Sequence, residues 1–218
     1  MGLFEKEISI PIDSTILKGN LDIPEGARAI VIFAHGSGSS RFSPRNRYVA
    51  EVLIKAGLAT LLFDLLTEDE ERIDMFTAEY RFNIELLADR LIKVTDWITK
   101  NNATKDLRVG YFGASTGAAA ALIAAARPEA IRTVVSRGGR PDLAESALPK
   151  VNVPTLLIVG GYDEPVIELN EDALRKIPDT TEKELKIVPG ATHLFEEPGK
   201  LEEVSNLAKD WFIKHLLV

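Results

Sequence analysis

The feature that most constrains this chain is an alternation of short, uniformly apolar runs with helix-length amphipathic stretches. Residues 29–34 (AIVIFA) and 59–63 (ATLLF) are such runs, as are 107–112 (LRVGYF), 131–136 (IRTVVS), 155–159 (TLLIV) and 185–188 (LKIV). A strand that is apolar on both faces must be covered on both faces, which is the condition of a buried parallel sheet. Ahead of these runs, residues 4–12 and 15–23 read as two strands joined at the Asp13-Ser14 turn, an antiparallel hairpin. Ser43-Pro44 supplies an N-cap followed by proline at the first helical position, and Gly57 ends that helix. Residues 78–100 form one long amphipathic stretch with Ile84, Leu87, Leu91, Val94 and Ile98 at spacings of three and four. A helix over 115–127 is stopped by Pro128, and its alanine run lets it lie close against a sheet. Helices over 164–177 and 198–217 complete the pattern. The expected fold class is α/β: a mostly parallel central sheet of about eight strands behind an N-terminal hairpin, flanked by helices.

With 218 residues, the chain is expected to form a single domain over 1–218. The balance of 26 Lys and Arg against 33 Asp and Glu gives a net charge of −7, which argues against nucleic acid and anionic membrane surfaces as partners. Cysteine is absent, so disulfides, thiolate metal sites and a cysteine nucleophile are excluded. The opening MGLFEKEISI carries charges where a signal peptide needs an unbroken apolar stretch, and the apolar run 118–126 is about half a membrane span. A cytoplasmic protein acting on a small molecule is the expectation, as a monomer or a homodimer.

Chemistry enters at Gly113-Ala114-Ser115-Thr116-Gly117, a G-x-S-x-G pentapeptide between the run LRVGYF and the alanine-rich helix. This is the strand–turn–helix setting of a nucleophile elbow, whose tight turn leaves no room for side chains at its two glycines. The bland alternative is a serine N-cap. A serine hydroxyl needs a base to act as a nucleophile. Of the three histidines, His193 sits in a loop just after the last strand, His35 ends the third strand beside Gly36, and His215 lies near the end of the final helix. His193 is the expected base. Asp163, in Gly160-Gly161-Tyr162-Asp163-Glu164-Pro165 after TLLIV, is the expected orienting acid, with an N-cap role as its alternative and Asp142 in reserve. The order Ser, Asp, His along the chain is that of an α/β-hydrolase. Backbone amides for an oxyanion hole are expected at Thr116 and at Ser37 in the loop His35-Gly36-Ser37-Gly38-Ser39-Ser40, with Gly38 close behind.

Through HGSGSS, GASTG, GGYDEPV and PGATHLF in order, the chain resembles the α/β-hydrolase superfamily, and more narrowly the small dienelactone-hydrolase-like serine hydrolases. The resemblance implies Ser115 as nucleophile, Asp163 as acid, His193 as base and no cofactor. Dienelactone hydrolases themselves typically carry cysteine at the nucleophile position, so Ser115 directs the expectation to a carboxylesterase of small esters. The same triad serves thioesterases, acyltransferases and perhydrolases, and a non-catalytic binding protein of this fold is the alternative from another class. Residues 137–154 are too few for a lid domain. Arg41, Arg45 and Arg47 follow the Gly-Ser loop and Arg137 and Arg140 follow the run IRTVVS, on loops expected at the same sheet edge. One or two of them, Arg41 and Arg137 foremost, are candidates for holding a substrate carboxylate, against the alternative of surface ion pairs. Tyr162 and Phe195 are candidates for lining an acyl pocket. The acidic run Glu68-Asp69-Glu70-Glu71 lacks histidine partners and reads as a solvated loop rather than a metal site.

Overall fold

A computed structural model describes residues 6–127 and 131–218. Its eight strands are β1 (Glu7–Ile12), β2 (Thr15–Asp22), β3 (Ala29–Ala34), β4 (Ala59–Phe63), β5 (Arg108–Ala114), β6 (Ile131–Arg137), β7 (Thr155–Gly160) and β8 (Lys183–Val188). They form one sheet in the order β1-β2-β4-β3-β5-β6-β7-β8. The β1–β2 hairpin and the β2–β4 pair are antiparallel, and every later pair is parallel. The apolar runs coincide with β3 to β7, while the expected extension of β1 back to Phe4 and the stop at Pro128 lie outside the described residues.

Five of the six α-helices among the described residues cover the two faces. On one side α1 (Pro44–Lys55) and α6 (Lys200–Leu216) bury Val49, Leu53, Ala208 and Phe212 against Val31, Phe33, Phe112 and Val135. On the other, α3 (Ile84–Lys100), α4 (Thr116–Ala125) and α5 (Glu164–Lys176) cover Ile30, Ile32, Tyr111 and Val134. Alternate residues of each strand thus serve opposite cores, as a period of two requires. Two polar pairs are built into these layers: Tyr111 and Thr95 share a 2.6 Å hydrogen bond, and the Trp211 indole donates to Thr133 at 2.8 Å.

The long helix expected from residue 78 begins instead at Ile84, and α2 (Glu68–Thr77) stands where the acidic run was expected to be a loop. The physical reason is local. Thr67 caps the helix by accepting from the Glu70 amide, and Glu70 reaches back to the Thr67 amide at 2.8 Å, a reciprocal capping box. Four acidic residues in the first turn favour the positive end of the helix dipole. Ala78 then turns left-handed at φ 54° and breaks the periodic stretch. The one buried residue of α2 is Asp74, which accepts from the Tyr80 and Arg81 amides and from Arg81 Nε at 2.5 Å. Polar clamps, including the Glu70–Arg90 pair, hold this helix in place; it contributes no hydrophobic core.

Candidate active site

The strand order places the site. The loop after β3 leads to α1 on one face, while the turn after β5 leads to α4 on the other, so a crevice opens between the two strand ends. Ala34 and Gly113 are paired at that edge, which puts the Gly-Ser loop and the elbow side by side. Ser115 sits at the turn with φ 51° and ψ −120°, strained for a residue with a side chain, and makes no capping hydrogen bond. The N-cap alternative therefore fails for this serine.

Close approach explains the glycines. A Cβ on Gly113 would fall within 3.0 Å of Ala118, and one on Gly117 within 3.0 Å of the Ala34 and His35 carbonyl oxygens. The alanines from Ala118 to Ala121 are buried without remainder, so α4 meets the sheet at small-residue distance. Two further bonds stitch the elbow to β6: the Ser115 amide donates to the Arg137 carbonyl, and the Arg140 amide donates to the Ser115 carbonyl, both at 3.1 Å.

Asp163 and His193 meet as expected. His193 Nδ1 and Asp163 Oδ2 lie 2.6 Å apart, and the Asp163 side chain, although at the N-cap of α5, makes no capping bond. Because an ionised carboxylate only accepts, Nδ1 is the donor in this bond, which leaves Nε2 as the acceptor of the neutral ring. Asp142 is engaged elsewhere, in a two-pronged pair with Arg140. Three residues that sequence reading passed over hold this pair. Gly160 lets the histidine loop approach, since a Cβ there would collide with the Ala191 and Thr192 carbonyls. Gly138, at φ 52°, lies under the His193 ring, with a would-be Cβ 3.1 Å from the His193 carbonyl and 3.4 Å from Cε1. The Glu197 carboxylate accepts from the Thr192 amide at 3.1 Å. A glycine pair directly after β6, mirroring the one after β7, was the available signal.

Ser37 and Thr116 are brought together, with the Ser37 amide donating to Thr116 Oγ1 at 2.8 Å. A hydroxyl oxygen thus marks where an acceptor sits between them. Thr116 is the first residue of α4, where backbone N–H groups have no partner within the helix. Beside this point lies a cleft of about 420 Å³, bounded by the Gly-Ser loop, Leu65, Leu87 and Met75, with Arg81 on its wall. Gly36 connects cleft and elbow, since a Cβ there would stand 3.1 Å from the Ser115 Cβ.

The expected substrate contacts are mostly redirected. Arg41 pairs with Asp64 and Glu7 and stacks on the Phe42 ring, so its guanidinium is already engaged. Phe195 is 1% exposed and belongs to the core beneath α1 and α6, anchoring the histidine loop rather than lining an acyl pocket. Tyr162 is 71% exposed, with its amide tied to the Ala191 carbonyl. Arg137 is buried on the α1/α6 face.

His35 supports the Gly-Ser loop from below. Its Nδ1 faces the Gly36 carbonyl at 3.0 Å, and its Nε2 accepts from the Leu65 amide at 3.1 Å, an arrangement that only the neutral ring satisfies. Burial holds its pKa below the usual histidine value, against the opposing effects of Gly36 and Asp64. Stability should therefore fall as pH drops below about 6.5, where the unfolded chain takes up the proton first, with a slope of at most about 1.4 kcal/mol per pH unit. His215 is depressed in the same direction by burial, so the comparison is between wild type and His35→Asn. Denaturant midpoints from neutral pH to mildly acidic pH should show a steeper loss in wild type; parallel curves would contradict this role.

The sheet order, the strained serine and the His–Asp pair define the α/β-hydrolase fold. The profile of the dienelactone hydrolase family matches residues 17–214, and the chain belongs to that family. A dienelactone hydrolase from Anabaena variabilis is 64% identical, with a TM-score of 0.94 over 97% of this chain and 98% of its own. The esterase Pf2001 of Pyrococcus furiosus superposes with a TM-score of 0.80 at 20% identity, covering 97% of this chain and 92% of its own, a likeness of fold. A Mycobacterium tuberculosis protein whose name proposes a phosphoribosyl transferase is 59% identical over 98% of this chain, yet the match covers 47% of that protein. The chain thus spans about half the length of the curated relatives it matches. Among the described residues no helix is long and apolar enough to cross a membrane.

Proposed function

We propose that the protein is a serine hydrolase of small carboxylic esters, acting in the cytoplasm. The observation that carries this reading is the 2.6 Å His193–Asp163 bond set beside a strained Ser115 whose hydroxyl caps nothing. Ser115 attacks the ester carbonyl while His193 Nε2 takes its proton, and Asp163 stabilises the imidazolium. The developing oxyanion displaces the Thr116 hydroxyl from the Ser37 amide and is held by the Ser37 and Thr116 N–H groups, each worth on the order of 3–4 kcal/mol of barrier. His193 then returns its proton to the leaving alcohol, and water hydrolyses the acyl-enzyme. No cofactor enters the scheme. A small acyl group would extend past Ser37 into the adjoining cleft of about 420 Å³, which the triad residues themselves do not line. Thioester cleavage and transfer to other acceptors would use the same acyl-enzyme. The phosphoribosyl transferase name belongs to proteins about twice as long, and no residue of this site favours that reading.

The test is labelling with a fluorophosphonate followed by peptide mapping. A single adduct on Ser115, formed more slowly in His193→Asn, is the expected result. Absence of any adduct in a protein that turns over p-nitrophenyl acetate, or an adduct on another residue, would refute the assignment.

A further inference from the structure

Arg137 closes β6, and its side chain lies two residues beyond Val135, hence on the same α1/α6 face of the sheet. It is 6% exposed, and its Nε and Nη1 have no hydrogen-bond acceptor. The charge that bears on it is a second cation, Arg45 of α1. Arg45 donates Nη1 to Glu196 at 3.1 Å and keeps its own Nε buried, also with no acceptor. Burial, with repulsion from Arg45, pulls the Arg137 guanidinium down to about 10, so it remains charged at neutral pH. Two cations that bear on one another and leave three buried guanidinium nitrogens without a protein acceptor are costly unless an anion answers them.

We propose that Arg45 and Arg137 form a binding site for a phosphate-type oxyanion. A carboxylate has acceptor sites enough for these donors but carries one negative charge, whereas a phosphate-type dianion balances both guanidinium charges and offers three terminal oxygens to the two forks. Arg45 and Glu196 line a surface groove of about 530 Å³, so the Arg45 end of the site is open to an anion from solvent. Three acids lie along the groove, Glu196, Glu197 and Glu202; Glu197 is engaged with the Thr192 amide, whereas Glu196, 63% exposed, sits on Arg45 as a displaceable carboxylate. The site requires nothing of Ser115 and stands whether or not the proposed ester hydrolysis does.

The experiment is calorimetric titration of the whole chain with inorganic phosphate at mildly alkaline pH and low salt, with acetate at matched ionic strength as the comparison. Phosphate should bind in preference to acetate, Arg45→Met should weaken it about tenfold, and Glu196→Gln should tighten it several-fold. Arg45→Met and Glu196→Gln alter residues near the surface, so the result does not depend on whether Arg137→Met folds. Phosphate that competes with p-nitrophenyl acetate hydrolysis identifies the anion as a group of the substrate; phosphate that binds without competing identifies a free anion as the ligand. Equal binding of phosphate and acetate, or phosphate binding unchanged in both variants, would overturn the site.

Discussion

Ser115→Ala should lower hydrolysis of p-nitrophenyl acetate by a thousandfold to a millionfold while the protein stays folded. The range is wide because the amides of Ser37 and Thr116 would still polarise a bound carbonyl after the nucleophile is gone. The fold should survive because the Ser115 hydroxyl makes no capping bond, and its amide and carbonyl bonds to β6 and Arg140 are independent of the side chain. Alanine keeps the left-handed strain at φ 51°, whereas Ser115→Gly should relieve it and raise stability by about 1 kcal/mol. Activity within tenfold of wild type in Ser115→Ala would remove the acyl-enzyme from the mechanism altogether.

Gly117→Ala should cost about 3 kcal/mol or more, or prevent recovery of folded protein. The added methyl would meet the Ala34 and His35 carbonyl oxygens, which are backbone atoms at the end of a central strand and cannot swing aside. Gly26 and Gly57 provide the internal comparison. Both have positive φ but open space around the missing Cβ, so alanine there carries only the backbone strain, about 1 kcal/mol. Chemical denaturation of the three variants would separate collision from strain. A Gly117→Ala protein as stable as Gly26→Ala would mean that β3 and the elbow are not packed as described.

Elements that are covered on both sides were legible in the sequence because burial removes ambiguity. The runs of β3 and β4 matched residue for residue, and the interior helices followed from their spacing or caps. Ser115, Asp163 and His193 could be singled out for a related reason: each lies in the turn or loop that follows a strand, and the structure brings Asp163 and His193 into contact. What failed lay where local rules compete. Between residues 64 and 83 the apolar period is weak, and the capping box at Thr67 together with the left-handed Ala78 decided the outcome. The substrate contacts were misjudged because sequence position says which loop a residue occupies but not which way it faces. Arg41 turned to Asp64, and Phe195 turned into the core. Gly138 and Gly160 were passed over because their contribution is the space they leave for the histidine loop.

The roof over the cleft has a different standing from its floor. Helix α2 buries only Asp74 and leaves Met75 and Phe76 largely exposed, so the stability of the molecule barely depends on which side chains it displays. The elbow below it, by contrast, tolerates no added methyl at Gly113 or Gly117. Substitutions along the exposed face of α2 can therefore accumulate at little thermodynamic risk while the packed elbow stays frozen. A lineage or a laboratory library that explores new substrates on this scaffold would find its freedom in the ten residues of α2, provided that Thr67, Glu70 and Asp74 are left to hold the helix in place.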